Sequence, residues 1–179
     1  MKSRLKHNGF TLFELLVTMS IIVLLSIMLT ANLQKGEKQY QIQLAGQEII
    51  QNIRRVQDMA LTSFKYQGQE VPYFYGIYFD KNKKKSYIIF GDRNNNNTYQ
   101  SSDIKIEEIS IESGVEIDSL SSGNKDLNIA FSVPDGFTYI EPDDDSAVIT
   151  IKRKGINCIQ SPKSCKNIIV EKTGRVNIE

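Results

Sequence analysis

Acid–base and nucleophilic chemistry has few candidate residues in this chain. Histidine occurs once, as His7, and tryptophan not at all. An imidazole base, a His-ligated zinc or a His-oriented nucleophile therefore has one residue to draw on. With no nucleophile elbow or phosphate-binding loop in the sequence, the protein is not expected to be an enzyme. Three other groupings carry chemistry. Glu14 is the only charge among residues 10–31, of which 16 of 22 are apolar. A carboxylate costs roughly 2.5–3.5 kcal/mol at the centre of a membrane helix and somewhat less near its end, so it needs a partner or a proton. Cys158 and Cys165 are too far apart for a redox C-x-x-C and lack the further ligands of a zinc site. Outside the cytoplasm they are expected to form a disulfide across a short loop through Pro162, contributing roughly 2–3 kcal/mol, with a reactive thiol pair as the alternative. Asp92, Asn94, Asn96, Thr98, Gln100 and Asp103 stand where a calcium-binding EF-hand loop has its oxygen ligands, though Asp103 replaces its Glu and Asn97 its Gly. Calcium held by Asp92, Asn94, Asn96, Thr98 and Asp103 is one reading. An Asn-rich hairpin held by Asx turns explains the same residues and is preferred, so no cofactor is expected.

The elements that would position these groups fall into three parts. Lys2, Arg4 and Lys6 precede the apolar run, which orients such a segment with its positive end in the cytoplasm and the body of the protein outside. Residues 10–31 as a helix reach roughly 33 Å, enough to cross a bilayer and longer than a secretory signal core. Ile42, Ala45, Ile49, Ile53, Val56 and Ala60 then recur at spacings of three and four between polar residues, an amphipathic continuation through residue 64. The whole helix would be about 80 Å long. From Val71 onward short β-type runs alternate with turns: Val71 to Phe79, Ser86 to Phe90, Ile104 to Ile111, Leu127 to Val133, Ala147 to Lys152, Ile168 to Val170 and Val176 to Ile178. A break in alternation at Glu107 and Glu108 predicts a bulge. The expected fold is α+β: a long N-terminal helix, transmembrane in its first half and amphipathic in its second, packed on an antiparallel β-sheet or sandwich head over 65–179.

The segment Gly9-Phe10-Thr11-Leu12-Phe13-Glu14-Leu15-Leu16 resembles the class III signal of type IV pilins and pseudopilins. The resemblance implies that a prepilin peptidase cuts between Gly9 and Phe10, removes a 1–9 leader and N-methylates Phe10. It also implies that Glu14 neutralises the Phe10 amine of an adjacent subunit and so sets register as subunits leave the bilayer for a filament. A buried pair of this kind speaks for register more than for stability. The order of elements, with a turn at Pro134-Asp135-Gly136 and a closing Gly174-Arg175-Val176, resembles the GspH/FimT-type minor pseudopilins and minor pilins. Ala31 and Asn32 stand where many type IV pilins carry a helix-breaking proline.

The implied function is that of a structural subunit of a type IV pilus or a type II secretion pseudopilus. It would be held as a single-pass inner-membrane precursor with its head outside the cytoplasm, and later lie in the filament. The implied partners are other pilins or pseudopilins, prepilin peptidase, the inner-membrane assembly platform and the membrane. The alternative is a DNA-binding minor pilin acting in DNA uptake, because some relatives use a C-terminal Gly-Arg-x-Arg loop. Gly174 and Arg175 match its start, but Asn177 holds the last position, and a Thr173-Gly174 turn accounts for the same residues. With Lys2, Arg4 and Lys6 removed, 19 Lys plus Arg face 21 Asp plus Glu, a formal charge of −2, so no general basic field attracts DNA. Lysines 81, 83, 84 and 85, with Lys152, Arg153 and Lys154 elsewhere, are the local basic candidates, and Asp143 to Asp145 reads as a solvated acidic loop.

Overall fold

A computed structural model describes residues 11–123, 125–142 and 145–179, with the side chains of all of these except 29–38 and 163. The fold is α+β. Among the described residues one α-helix, α1 (Leu12–Leu61), is followed by nine strands: β1 (Phe74–Phe79), β2 (Ser86–Asp92), β3 (Ile104–Ser110), β4 (Val115–Leu120), β5 (Leu127–Ser132), β6 (Thr138–Glu141), β7 (Ser146–Arg153), β8 (Cys165–Glu171) and β9 (Val176–Ile178). The chain divides into two compact units, residues 1–38 and 39–179.

In the first unit, every described side chain of α1 from Leu12 to Met28 is exposed. No helix among the described residues is long and apolar enough to cross a membrane.

In the second unit, α1 supplies Ile42, Ala45, Ile49, Ile53, Val56 and Ala60 to the core, joined by Ile50 and Met59. The expected stripe is therefore the buried one. Gly46 sits on the same face, and a Cβ there would lie 2.5 Å from Ile178 Cδ1. The missing side chain lets the helix approach β9, which offsets the roughly 1 kcal/mol that glycine costs a helix interior. The helix ends in a Schellman motif. Phe64 N–H donates to Met59 O at 3.0 Å, Ser63 N–H donates to Ala60 O at 3.1 Å, and Ser63 takes the left-handed position usually filled by glycine.

The strands form two antiparallel sheets, ordered β3-β2-β1-β5-β6 and β4-β7-β8-β9. Tyr75, Ile77, Phe79, Ile89, Leu127, Ile129 and Phe131 of the first sheet share one core with Ile117, Ile149, Ile151, Ile168 and Val170 of the second. All seven expected strands are present. Two more, β4 and β6, were not anticipated. The bulge in β3 lies one residue before the expected pair: Ile89 pairs with Glu107 and Phe90 with Lys105, leaving Ile106 as the extra residue. A second bulge interrupts β4 between Ile117 and Ser119.

Candidate functional site

The start of α1 is built by Thr11. Its carbonyl accepts the first intrahelical bond from Leu15 N–H at 3.2 Å, and its hydroxyl oxygen accepts a second from Glu14 N–H at 3.2 Å. Thr11 thus occupies the N-cap position, and Thr-x-x-Glu is the capping-box spacing. The sequence reading missed this role although the spacing carried it. The other hydroxyls along the stretch bond inward to their own helix: Thr18 to Leu15 O, Ser20 to Leu16 O and Ser26 to Ile22 O, at 2.8–3.0 Å. Bonds of this type satisfy polar side chains where water is scarce. Glu14 remains as the exception. Its carboxylate has no hydrogen-bond or ion-pair partner among the described residues, and its place in the first turn sets a negative charge near the positive end of the helix dipole. Gly9, Phe10 and the rest of the 1–9 leader, including His7, lie outside the described residues.

The Asn-rich segment connects β2 to β3 and is organised around Asp92, which is fully buried. The Asp92 carboxylate accepts backbone N–H groups from Asn94 at 2.8 Å, Asn95 at 3.0 Å and Asn97 at 2.6 Å. Asp103 accepts N–H groups from Gln100 at 2.7 Å and Arg93 at 3.3 Å. Asn96 Oδ1 takes the N–H and hydroxyl of Thr98, both at 3.1 Å, and Asn94 bonds Gln100. Asn95 and Asn97 adopt positive φ, which asparagine tolerates. The carboxylates are therefore bonded by their own loop in Asx fashion. The loop lies over the outer face of the first sheet. Tyr99 packs on Tyr78 and Phe90, with ring centroids 5.0 and 5.4 Å apart, while its N–H donates to Asn128 Oδ1 at 2.9 Å. Among the described residues, no group of three or more His, Cys, Asp or Glu side chains is gathered to hold a metal.

Between β8 and β9, Gly174 is the last residue of the three-residue turn 172–174, and Arg175 follows it, facing Glu171. Gly174 N–H donates to Glu171 O at 2.8 Å and Glu171 N–H to Arg175 O at 2.9 Å, with Gly174 at φ +83°. This is the hairpin loop whose last residue must be left-handed, hence glycine. The turn is tied to α1 by Gln57 Nε2, which donates to Gly174 O at 2.8 Å. Arg175 is exposed.

The lysine runs are partly paired with carboxylates. Lys83 lies 3.8 Å from Glu108, and Lys105 lies 2.6 Å from the same residue, whose carboxyl is held below its usual range chiefly by the Lys105 hydrogen bond. Lys152 bonds Asp118 at 2.6 Å and lies 3.8 Å from Glu116; the Asp118 hydrogen bond is the main cause of its raised pKa. Of the acidic run, only Asp145 is among the described residues; it is exposed, and its carbonyl accepts Lys172 N–H. Cys158 and Cys165 are bonded to each other with Cα atoms 5.7 Å apart, closing part of the connection from β7 to β8. Asp118 touches the Cys158 sulfur at 3.5 Å.

No curated protein and no solved structure matched the chain. Residues 4–30 match the family model of the prokaryotic N-terminal methylation motif. That stretch contains Gly9, Phe10, Thr11 and Glu14 and most of the exposed apolar part of α1, so the chain carries at its N-terminus the processing and methylation signal of a type IV pilin-like precursor.

Proposed function

We propose that the protein is a minor pilin or pseudopilin of the GspH/FimT type, a structural subunit of a type IV pilus or a type II secretion pseudopilus. The reading rests on one coincidence: the methylation motif matched over residues 4–30 covers the whole stretch of α1 from Leu12 to Met28 whose apolar side chains are exposed on all sides. A helix without a polar face is stable where lipid or other helices surround it. Membrane anchoring of residues 10–31 before processing, and packing against other subunits afterwards, supply both environments. Prepilin peptidase cuts after Gly9 and the new amine of Phe10 is methylated. Glu14, lacking a partner within its own described chain, then meets the Phe10 amine of a neighbour. The inner-membrane assembly platform drives the exchange of lipid for protein neighbours. The Cys158–Cys165 disulfide supports a head outside the reducing cytoplasm. Nothing in this role requires an active site.

Mass spectrometry of the N-terminal peptide tests the reading, on protein recovered separately from sheared filaments and from the cell envelope. N-methylated Phe10 in sheared filaments places the subunit in a surface pilus. The same peptide confined to the envelope places it in a pseudopilus, and an intact Met1 or Lys2 start in both fractions would overturn the proposal. A DNA-uptake role would instead show as salt-sensitive DNA binding by the head that is lost on Arg175→Ala.

A further inference from the structure

We propose that the groove between β9 and α1 is a docking site for an extended segment of another protein chain, which adds as a strand to the free edge of β9 and carries a carboxylate for Arg54. The groove lies within the unit 39–179, so the inference is independent of how the N-terminus is processed.

β9 is the last strand of the second sheet and pairs on one side only, with β8. Asn167 and Glu179 exchange both backbone bonds, at 3.0 and 2.9 Å, and Glu171 N–H donates to Arg175 O. Arg175, Asn177 and Glu179 therefore aim their backbone groups at β8, while Val176 and Ile178 between them aim theirs away from it. Among the described residues, nothing bonds the N–H groups of Val176 and Ile178 or the Ile178 carbonyl. The Val176 carbonyl meets only the side-chain amide of Asn177, at 3.3 Å in the orientation that also accepts Arg175 Nε. Native edges are commonly blunted by charges or bulges. β3 has both, with Lys105, Glu107 and Glu108 around its bulge, and β4 is bulged at Asp118. The run Val176-Asn177-Ile178 has neither.

The helix supplies the other wall. β9 runs back along α1, with Gly174 bonded to Gln57 and Ile178 packed over Gly46. Gln47, Ile50, Gln51 and Arg54 share one face of α1 and, with β9, line a groove of about 450 Å³. Gln47, Gln51 and Arg54 are exposed and have no hydrogen-bond or ion-pair partner among the described residues. A strand added here takes its main-chain bonds from Val176 and Ile178, and the side chains on its helix side set specificity. Ile50 and Arg54 stand about 6 Å apart along the helix axis, close to the roughly 6.8 Å between alternate residues of a strand. An apolar residue over Ile50 thus places the residue two along at Arg54, where a carboxylate is paired and a lysine repelled.

The test titrates the full-length protein in detergent micelles against fluorescent peptides and reads their anisotropy, with empty micelles as the blank. The probe is Thr-Val-Thr-Glu-Thr capped at both ends, beside a copy with lysine in place of glutamate and a copy methylated on every backbone nitrogen. The glutamate peptide is expected to bind roughly two- to fivefold more tightly than the lysine peptide, and the methylated copy, which cannot pair with an edge, is expected not to bind. Arg54→Glu changes an exposed side chain without a partner among the described residues, so the fold should persist and the order of the two peptides should reverse. No binding of the glutamate peptide up to millimolar concentration would overturn the inference. Equal binding of the methylated copy would overturn the strand pairing, and an order unchanged by Arg54→Glu would overturn the acidic specificity.

Discussion

Apolar side chains do opposite things in two stretches of α1. From Ile42 to Ala60 the eight that reach the core are at most 8% exposed, whereas from Leu12 to Met28 the large ones are 38–85% exposed. The polar residues between them account for the difference. Apart from Leu44, the outer positions of 42–60 are filled by Gln, Glu, Asn, Arg and Asp, so burying one face against the sheets is enough. Between Leu12 and Met28 only hydroxyls and Glu14 interrupt the apolar residues, and no face is left for water. Charges differ as well. Several in the head have partners in their own chain, such as Arg55 with Glu107 at 2.8 Å and Lys152 with Asp118, while Glu14 has none among the described residues. One stretch completes a fold and the other waits for an environment.

The largest effect that could break this contrast is at Glu14. Glu14→Leu removes the charge and keeps the helix, so membrane insertion should be unchanged or improved, while incorporation into filaments should fall at least about tenfold, the effect of losing roughly 1.4 kcal/mol of pairing. Quantifying the variant in membranes and in isolated filaments checks it. Normal incorporation would mean that the lone carboxylate has no partner in the assembly.

Within the head the corresponding carboxylate is Asp92, buried but fully served by its own loop. Asp92→Ala leaves three backbone N–H groups without their acceptor and should cost about 3 kcal/mol, with Asp92→Asn costing less because one amide oxygen remains. Thermal unfolding of the two variants measures this. If the loop is complete without a ligand, millimolar calcium and a chelator should leave the melting temperature of the wild type unchanged. A rise with calcium would show that the head also waits for something.

How far the sequence could be read follows the same division. The methylation motif of residues 4–30 is carried by local sequence, and so is the stripe from Ile42 to Ala60, because a helix places neighbours by sequence separation alone. Strand β4 was missed because its bulge at Asp118 shifts the alternation between Val115 and Leu120. Strand β6 was missed because four residues, Thr138–Glu141, are too few to show a period. Leu127, Ile129, Phe131 and Val133 alternate as for a strand with one wet face, yet Ala130 and Asn128 between them are buried too. The cover over them is the 93–103 loop, held by a Tyr99 to Asn128 bond across 29 residues, a separation no local pattern reveals. Thr11 is different, since Thr-x-x-Glu was legible and was passed over in favour of the charge on Glu14.

A smaller test sharpens the closure of the head. Burial raises the pKa of Tyr75, Tyr78 and Tyr87; a hydrogen bond to Asp126 adds to the rise at Tyr78, and one from Asn52 opposes it at Tyr87. The neutral phenols are thus favoured in the folded state. Their stabilisation is complete below the ordinary tyrosine value near 10 and is lost as pH rises beyond it, because the unfolded chain releases those protons first. Phenolate absorbance followed against pH should show these three tyrosines ionising only together with unfolding. Tyr78→Phe should flatten the alkaline loss. Free titration of all the tyrosines before unfolding would contradict the packing.

The smallest effect is at the junction where α1 leaves the core. Ser63 holds positive φ in the Schellman turn, a conformation that costs an L-residue roughly 1–2 kcal/mol and glycine almost nothing. Ser63→Gly recovers that strain but adds freedom to the unfolded chain worth about 0.5–1 kcal/mol. The net result should be a gain of roughly 0.5–1 kcal/mol, while Ser63→Ala, which keeps the strain, should not stabilise. Both are read as shifts in the denaturation midpoint at unchanged slope. Because the change acts only on the unit that completes itself, filament incorporation should not follow the stability gain. If it did, head stability would limit assembly, and the two stretches of α1 would not act independently.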